Sequence, residues 1–225
     1  MKIAMIGGGV VGQTLAAKLI ANGHDVTIGI RKASAEELAR PRNFAETLKQ
    51  WQARTGGAIA TLPDAAGSGE IVFNATHGLG SLDALKAAGA GNLSGKILID
   101  VANPLDFSAG MPPFLPAPLT ERTSLGEEIQ KAFPETRVVK AFNTISATVM
   151  VDPSLIPGVQ LLIAGNSDTA KDRVRELARD EFGWREFVDL GDITGARGTE
   201  HLMPLWLRLF IQGNSPLVAL KVIRG

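Results

Sequence analysis

The chain of 225 residues contains no cysteine and no tyrosine, and only three histidines, His24, His77 and His201. The first absence excludes disulfides, thiol nucleophiles and cysteine metal sites, and fits a reducing compartment. The second excludes proton donation by a tyrosine hydroxyl. No two histidines stand at metal-ligand spacing, so no imidazole-based metal site is expected. Hydrolysis through a Ser-His-Asp arrangement lacks the G-x-S-x-G turn that would present its serine. Charge of either sign is not in excess, because Lys+Arg and Asp+Glu number 23 each. That balance offers no basic surface for nucleic acid and no polybasic run for an anionic membrane. Long apolar runs are also missing: residues 202–211 include Pro204 and Arg208 and are too short to span a bilayer. The opening residues lack the charged and apolar regions of a signal peptide. A soluble, cytoplasmic protein of one large or two small domains is expected, with enough chain to bury a core without staples.

Glycine, by contrast, is concentrated where it carries information. Lys2-Ile3-Ala4-Met5-Ile6 reads as a buried strand, and Gly7-Gly8-Gly9-Val10-Val11-Gly12 follows it directly. Residues 13–21 then read as an amphipathic helix. Gly7, Gly9 and Gly12 fit the G-x-G-x-x-G spacing, in which each glycine has its own reason. The first makes a tight turn, and the second lets backbone N–H groups approach a pyrophosphate. The third lets helix and strand pack closely, while the helix N-terminus favours the phosphate charge. Gly23-His24 stops the helix, and residues 25–30 form a second strand. A dinucleotide with a free ribose 2′-hydroxyl calls for Asp or Glu about 20 residues beyond the fingerprint. The residue at that distance from Gly12 is Arg31, followed by Lys32, while Glu36 and Glu37 fall in the next helix. A guanidinium suits a 2′-phosphate and a carboxylate would repel it, so NADP(H) is expected over NAD(H). The plain alternative is a solvated cation pair at a strand–helix turn.

Strands and helices alternate along the chain, which predicts a Rossmann-type α/β fold, a doubly wound and mostly parallel sheet. A helix is expected over residues 34–54, interrupted near Pro41 and ended by Gly56-Gly57, with a third strand at 58–61. One helical turn at 63–66, a strand at 71–75, a helix at 79–88 and a strand at 96–101 follow. Residues 104–118 hold Pro104, Pro112, Pro113, Pro116 and Pro118 and read as a long loop, functional or mobile. Ser124-Leu125-Gly126-Glu127 is a capping box opening a helix that ends near Phe133-Pro134, before a sixth strand at 137–142. These strands suffice for the order 3-2-1-4-5-6. A strand at 159–164, a helix at 168–181, a strand at 186–190, a helix at 198–212 and an apolar tail at 216–223 make a small C-terminal α/β extension. The boundary falls near Pro153 and Pro157, giving a nucleotide-binding unit over residues 1–150 and an extension over 151–225.

Ligands of open α/β sheets lie outside the carboxyl ends of the strands, at the switch point between the first and fourth. Three segments emerge there: Asn74-Ala75-Thr76-His77-Gly78, Ala102-Asn103-Pro104, and Ala141-Phe142-Asn143-Thr144-Ile145. Ala75, Thr76 and His77 are expected near the inner ribose or the nicotinamide. Asn143 and Thr144 are expected to face that ring from the far half, with Ala141 and Asn103 alongside. His77 is alternatively a loop histidine satisfied by backbone groups, and Asn103 alternatively shapes an Asn-Pro turn. His201 is read as a packing or interface residue.

Taken together, several stretches resemble a known family. Met1 to Gly12, Gly23-His24-Asp25-Val26 leading to Gly29-Ile30-Arg31, Val139-Lys140-Ala141-Phe142-Asn143-Thr144-Ile145 and Leu202-Met203-Pro204-Leu205 are similar to the coenzyme F420-dependent NADP oxidoreductases. They are also similar to the NADPH-binding domain of STEAP-type metalloreductases. The resemblance spans nearly the whole chain. It implies that the first turn and the end of the second strand hold NADP, with Arg31 matching the arginine that meets the 2′-phosphate. Two positions depart from the pattern: Ile30 stands where serine is usual, and glycine replaces a threonine often found in the first turn. The implied reaction is direct hydride transfer between nicotinamide C4 and a stacked deazaflavin (coenzyme F420) or flavin-like acceptor, a small molecule. The cofactors carry that chemistry, so no protein acid–base pair need appear. The Pro-rich loop and the 201–225 tail are expected to wall the acceptor site or to form a homodimer contact. Two other readings stay open from sequence: a non-catalytic NADP(H)-binding sensor, and a small imine or hydroxyacid reductase.

Overall fold

Eight short runs rich in Ile, Val, Leu and Ala become the strands of one sheet. In the computed structural model, which describes residues 1–117, 119 and 122–225, these are β1 (Lys2–Ile6), β2 (Asp25–Ile30), β3 (Ala58–Thr61) and β4 (Ile71–Asn74). They continue as β5 (Ile97–Asp100), β6 (Arg137–Ala141), β7 (Gln160–Gly165) and β8 (Glu186–Asp189). The order is β3-β2-β1-β4-β5-β6-β7-β8. All neighbours are parallel except β6 and β7, which pair antiparallel. Thus the C-terminal strand–helix–strand unit extends the same sheet in reversed direction.

The strands are apolar on both faces because helices cover both, as parallel sheets require. Alternation splits the core in two. Ile3, Met5, Ile28, Phe73, Ile99 and Val139 pack beneath α1 (Val10–Ala21), α3 (Leu48–Thr55), α8 (Ala147–Val151) and α9 (Asp168–Leu177). Ala4, Ile6, Val72, Leu98 and Val138 pack beneath α4 (Leu62–Ser68), α5 (Ser81–Ala88), α6 (Ala90–Leu93), α7 (Leu125–Ala132) and α10 (Ala196–His201). A third, small cluster joins Leu105 of the Pro-rich loop to Met203, Trp206 and Leu207 of α11 (Met203–Gly213). No helix among the described residues is long and apolar enough to cross a membrane.

Several helix expectations are corrected. The first helix begins at Val10, three residues before the expected start, because extended Gly9 already serves as its N-cap. The interruption expected near Pro41 is present and divides the 34–54 segment into two helices: α2 (Ala35–Ala39) ends at Arg40, whose extended backbone suits the residue before Pro41. Its successor α3 starts afresh at Leu48, with Thr47 as N-cap in a capping box to Gln50. The helix expected over 168–181 is α-helical to Leu177 and then widens into a π turn, Ala178–Phe182, closed by left-handed Gly183. The last helix starts at Ala196 and breaks at Leu202, where Pro204 can begin a helix but cannot continue one. The apolar tail at 216–223 has no regular structure, and Pro118 of the expected loop lies outside the described residues.

Candidate functional site

The carboxyl ends of β1, β2 and β4 meet around the glycine turn. Gly7 has φ +113°, and a Cβ there would stand 2.5 Å from the Ala75 carbonyl oxygen, so turn and β4 loop touch backbone to backbone. A Cβ on Gly12 would lie 2.1 Å from the Gly7 carbonyl oxygen, which explains the third glycine by packing alone. Gly9 is different, since a Cβ there would meet nothing within 4 Å. The chain itself leaves that space open. Gly9 caps α1 without a side-chain hydrogen bond, so the first-turn N–H groups face the opening with no side-chain acceptor. Gln13 braces the turn from below, its Nε2 donating to the carbonyls of Gly8 (3.1 Å) and Glu46 (2.9 Å).

An open cleft of about 580 Å³ runs over this turn, lined by Gly7, Gly8, Gly9, Arg31, Lys32 and Thr76 among others. Its far end carries four cations, Arg31, Lys32, Arg40 and Arg42, and one carboxylate, Glu37. Glu37 is paired with Arg42 at 2.9 Å and with Arg40 at 3.6 Å. Arg31 and Lys32 make no ion pair among the described residues, which leaves two cations facing the cleft. Arg31 reaches towards the turn before α5, where a Cβ on Gly80 would sit 3.5 Å from its Nη2. A second, smaller cleft of about 160 Å³ adjoins the first through Ala75, Thr76 and His77. It is lined further by Val11, Asn103, Leu105 and Phe107, and the His77 and Phe107 rings lie 5.8 Å apart.

The third segment closes this end from beneath. Phe142 is buried with φ +65°, a left-handed conformation rare for a bulky residue, and it is held there by edge contacts with Phe182 and Trp184. The sharp turn brings Asn143 onto Asn103. Asn103 Nδ2 donates to the Asn143 carbonyl at 2.7 Å, and Asn143 Nδ2 donates to Asn103 Oδ1 at 2.9 Å. Of the residues singled out from sequence, Gly7, Gly8, Gly9, Arg31, Lys32, Ala75, Thr76 and His77 line the larger cleft, and Val11 and Asn103 the smaller. Val10 is exposed on the first turn of α1. Gly12, Ala141, Asn143 and Thr144 are buried and line neither cleft.

An anion at a glycine-framed helix N-terminus, with two cations one strand away, is the arrangement a phosphorylated dinucleotide needs. Residues 2–104, which contain that arrangement, match the model of the family described as NADP oxidoreductase, coenzyme F420-dependent. The F420-dependent NADP reductase of Methanocaldococcus jannaschii is 30% identical over 99% of this chain and 98% of its own length. The chain belongs to this family. A solved structure of a candidate F420-dependent NADP reductase from Arthrobacter sp. FB24 is 45% identical over the full length of both chains, with a TM-score of 0.92. Rat metalloreductase STEAP3 is 31% identical over 91% of this chain, which spans only 38% of that protein. An imine reductase from Streptomyces aurantiacus, 15% identical with a TM-score of 0.63, shares the fold alone.

Sequence reasoning missed Arg40, Arg42, Glu37 and Gly80 in the larger cleft and Phe107 in the smaller. The cations left a signal, since Arg40-Pro41-Arg42 places two guanidinium groups where a proline must break the helix. Asp100 and Lys140, which fall within the ends of β5 and β6, were missed too.

Proposed function

We infer that this protein is an NADP(H)-dependent oxidoreductase that moves a hydride between the coenzyme and a stacked deazaflavin of the F420 type. The observation that carries the reading is the open space over Gly9, bounded by an uncapped helix N-terminus and by the cleft-facing pair Arg31 and Lys32. Backbone N–H groups of residues 9–11 hold the pyrophosphate, and Arg31 and Lys32 hold the 2′-phosphate. Ala75, Thr76, His77 and Asn103 wall the nicotinamide end, with Asn143 and Thr144 fixing that wall from beneath. The bound coenzyme supplies a hydride-donating or hydride-accepting carbon at C4 of its ring. The protein's part would be to hold the reacting carbons of the two partners in line and exclude water, and positioning of that kind can supply much of the rate. His77 and Phe107 give the smaller cleft an aromatic edge suited to a flat ring.

Residues 1–150 form the coenzyme half and residues 151–225 the acceptor-side wall. Two copies of the chain pair through α11, whose Leu205 and Leu209 are 50% and 41% exposed one turn apart. The protein works in the cytoplasm. The test is calorimetric titration with NADPH and NADH, followed by spectrophotometric turnover of NADPH with a deazaflavin and with a flavin. Tight NADPH binding and deazaflavin reduction are expected. NADH binding as tightly as NADPH, or no turnover with either acceptor, refutes the reading.

A further inference from the structure

Strand register sets three polar residues side by side beneath the clefts. Asn74, Asp100 and Lys140 occupy the carboxyl ends of β4, β5 and β6, Asn74 opposite Asp100 and Asp100 opposite Lys140. Side chains alternate along a strand, so all three share the face of Val72, Leu98 and Val138. Lys140 and Asp100 are fully buried, and Glu200 of α10 is nearly so. Lys140 Nζ lies 2.8 Å from Asp100 Oδ2, 2.8 Å from Glu200 Oε1 and 2.6 Å from the Ala102 carbonyl oxygen. Burial pulls the ammonium's pKa down, but the two carboxylates outweigh it and hold it above the ordinary lysine value. The second carboxylate is matched at the N-terminus of α7, where the N–H groups of Leu125 and Gly126 donate to Glu200 at 2.8 and 3.1 Å.

A chain of hydrogen bonds runs from this triad to the cleft wall. Asn74 Nδ2 donates to Asp100 Oδ1 at 2.8 Å and to Ser81 Oγ at 3.1 Å. Its Oδ1 accepts from Thr76 Oγ1 at 2.7 Å. Asp100 Oδ1 also accepts from the N–H of Ala102 at 3.2 Å, next to Asn103. Thr76, with Ala75 and His77, is the partition shared by the two clefts. Apolar packing would generally stabilise a buried site at least as well as an ion pair, so stability alone does not account for the triad. Its directional bonds do something packing cannot, by fixing one geometry for two loops.

We propose, on the coenzyme reading above, that Lys140 is a positioning residue: through Asp100 and Asn74 it holds the Ala75–His77 partition in the shape that receives the nicotinamide. Arg31 and the adenosine end lie outside this chain of bonds. The two halves of the coenzyme therefore respond differently when the triad is broken. The experiment titrates NADPH and adenosine 2′,5′-bisphosphate, which lacks the nicotinamide, into wild type, Lys140→Met and Asp100→Asn. Amide hydrogen exchange is followed in the same proteins without ligand. Asp100→Asn keeps volume and leaves Lys140 paired with Glu200, so it decides the matter even where Lys140→Met does not fold. NADPH affinity is expected to fall about tenfold with the bisphosphate unchanged, and exchange to quicken over the two loops the triad ties, residues 74–80 and 101–103. Lys171→Met, which breaks a lysine pair with Asp189 at the far edge of the sheet, away from both clefts, is expected to leave both affinities and the exchange over those loops unchanged. Folded Asp100→Asn with wild-type NADPH affinity, or with equal loss of both ligands, overturns the proposal. A wild type that binds neither ligand overturns the coenzyme reading and this inference together.

Discussion

Two glycines of one motif should fail in opposite ways when replaced by alanine. At Gly9 the backbone is extended, with φ −79° and ψ −175°, which alanine adopts without strain, and the added Cβ meets nothing within 4 Å. Restricting the unfolded chain stabilises by about 0.4–1 kcal/mol. Losing glycine at an N-cap destabilises by a similar amount, roughly 0.5–1 kcal/mol. The two nearly cancel, so Tm should move by no more than about 3 °C in a chain of this size. The Cβ nevertheless occupies the space in which a pyrophosphate would approach the first turn of α1. Displacing even one charge-assisted hydrogen bond forfeits about 1.5–3 kcal/mol, or roughly 10- to 150-fold in affinity. Gly12→Ala reverses the pattern, because its Cβ would fall 2.1 Å from the Gly7 carbonyl oxygen and neither backbone can yield. About 3 kcal/mol of stability should be lost there. Calorimetric titration with NADPH beside differential scanning calorimetry reads both quantities. Gly9→Ala that binds NADPH like wild type, or that melts more than about 10 °C early, would refute the assignment of that space to a ligand.

Other outcomes follow from the same structure. Arg31→Ala should weaken NADPH by about 10- to 100-fold and NADH by little, since only the former carries the charge a guanidinium meets; equal losses in titration would remove Arg31 from the 2′-phosphate site. Leu205→Lys combined with Leu209→Lys should halve the mass measured by light scattering, and an unchanged mass would show that pairing does not use α11. Asp189 is raised by burial but lowered more by the Gly191 N–H, Lys171 and Arg175, so its folded pKa lies below the ordinary carboxylate value. Its stabilising contribution is then complete above the unfolded value of about 3.9 and lost as pH falls through the folded one. Urea unfolding at pH 7 and below pH 4 should show that loss, and Asp189→Asn should flatten it; an unaltered acid limb would count against the assignment. Trp184→Phe removes a buried indole whose N–H donates to the Met150 carbonyl at 2.9 Å, and should destabilise by roughly 2 kcal/mol in the same assay.

The strands were legible because each is a short apolar run between turn residues, and a parallel sheet buried on both faces needs nothing subtler. The glycine turn was legible for a related reason: glycine spacing reports backbone contacts between near neighbours in the chain, such as Gly12 against Gly7 five positions before it. Arg31 could be located by counting, since a strand of known length fixes where its end must lie. Helix boundaries were less legible: Pro204 marks the break at Leu202, but no proline or glycine marks where the π turn begins after Leu177. The charges under the cleft were the least accessible. Asp100, Lys140 and Glu200 are far apart in sequence, and nothing local distinguishes them from solvated charges. Local order in the chain thus determined the strands, the first turn and the cleft-facing cation at the end of β2. Which strand lies beside which, and in what register, brought Asn74, Asp100 and Lys140 together. Pairing across a sheet is a property of the assembled layers, so only the tertiary structure could decide it.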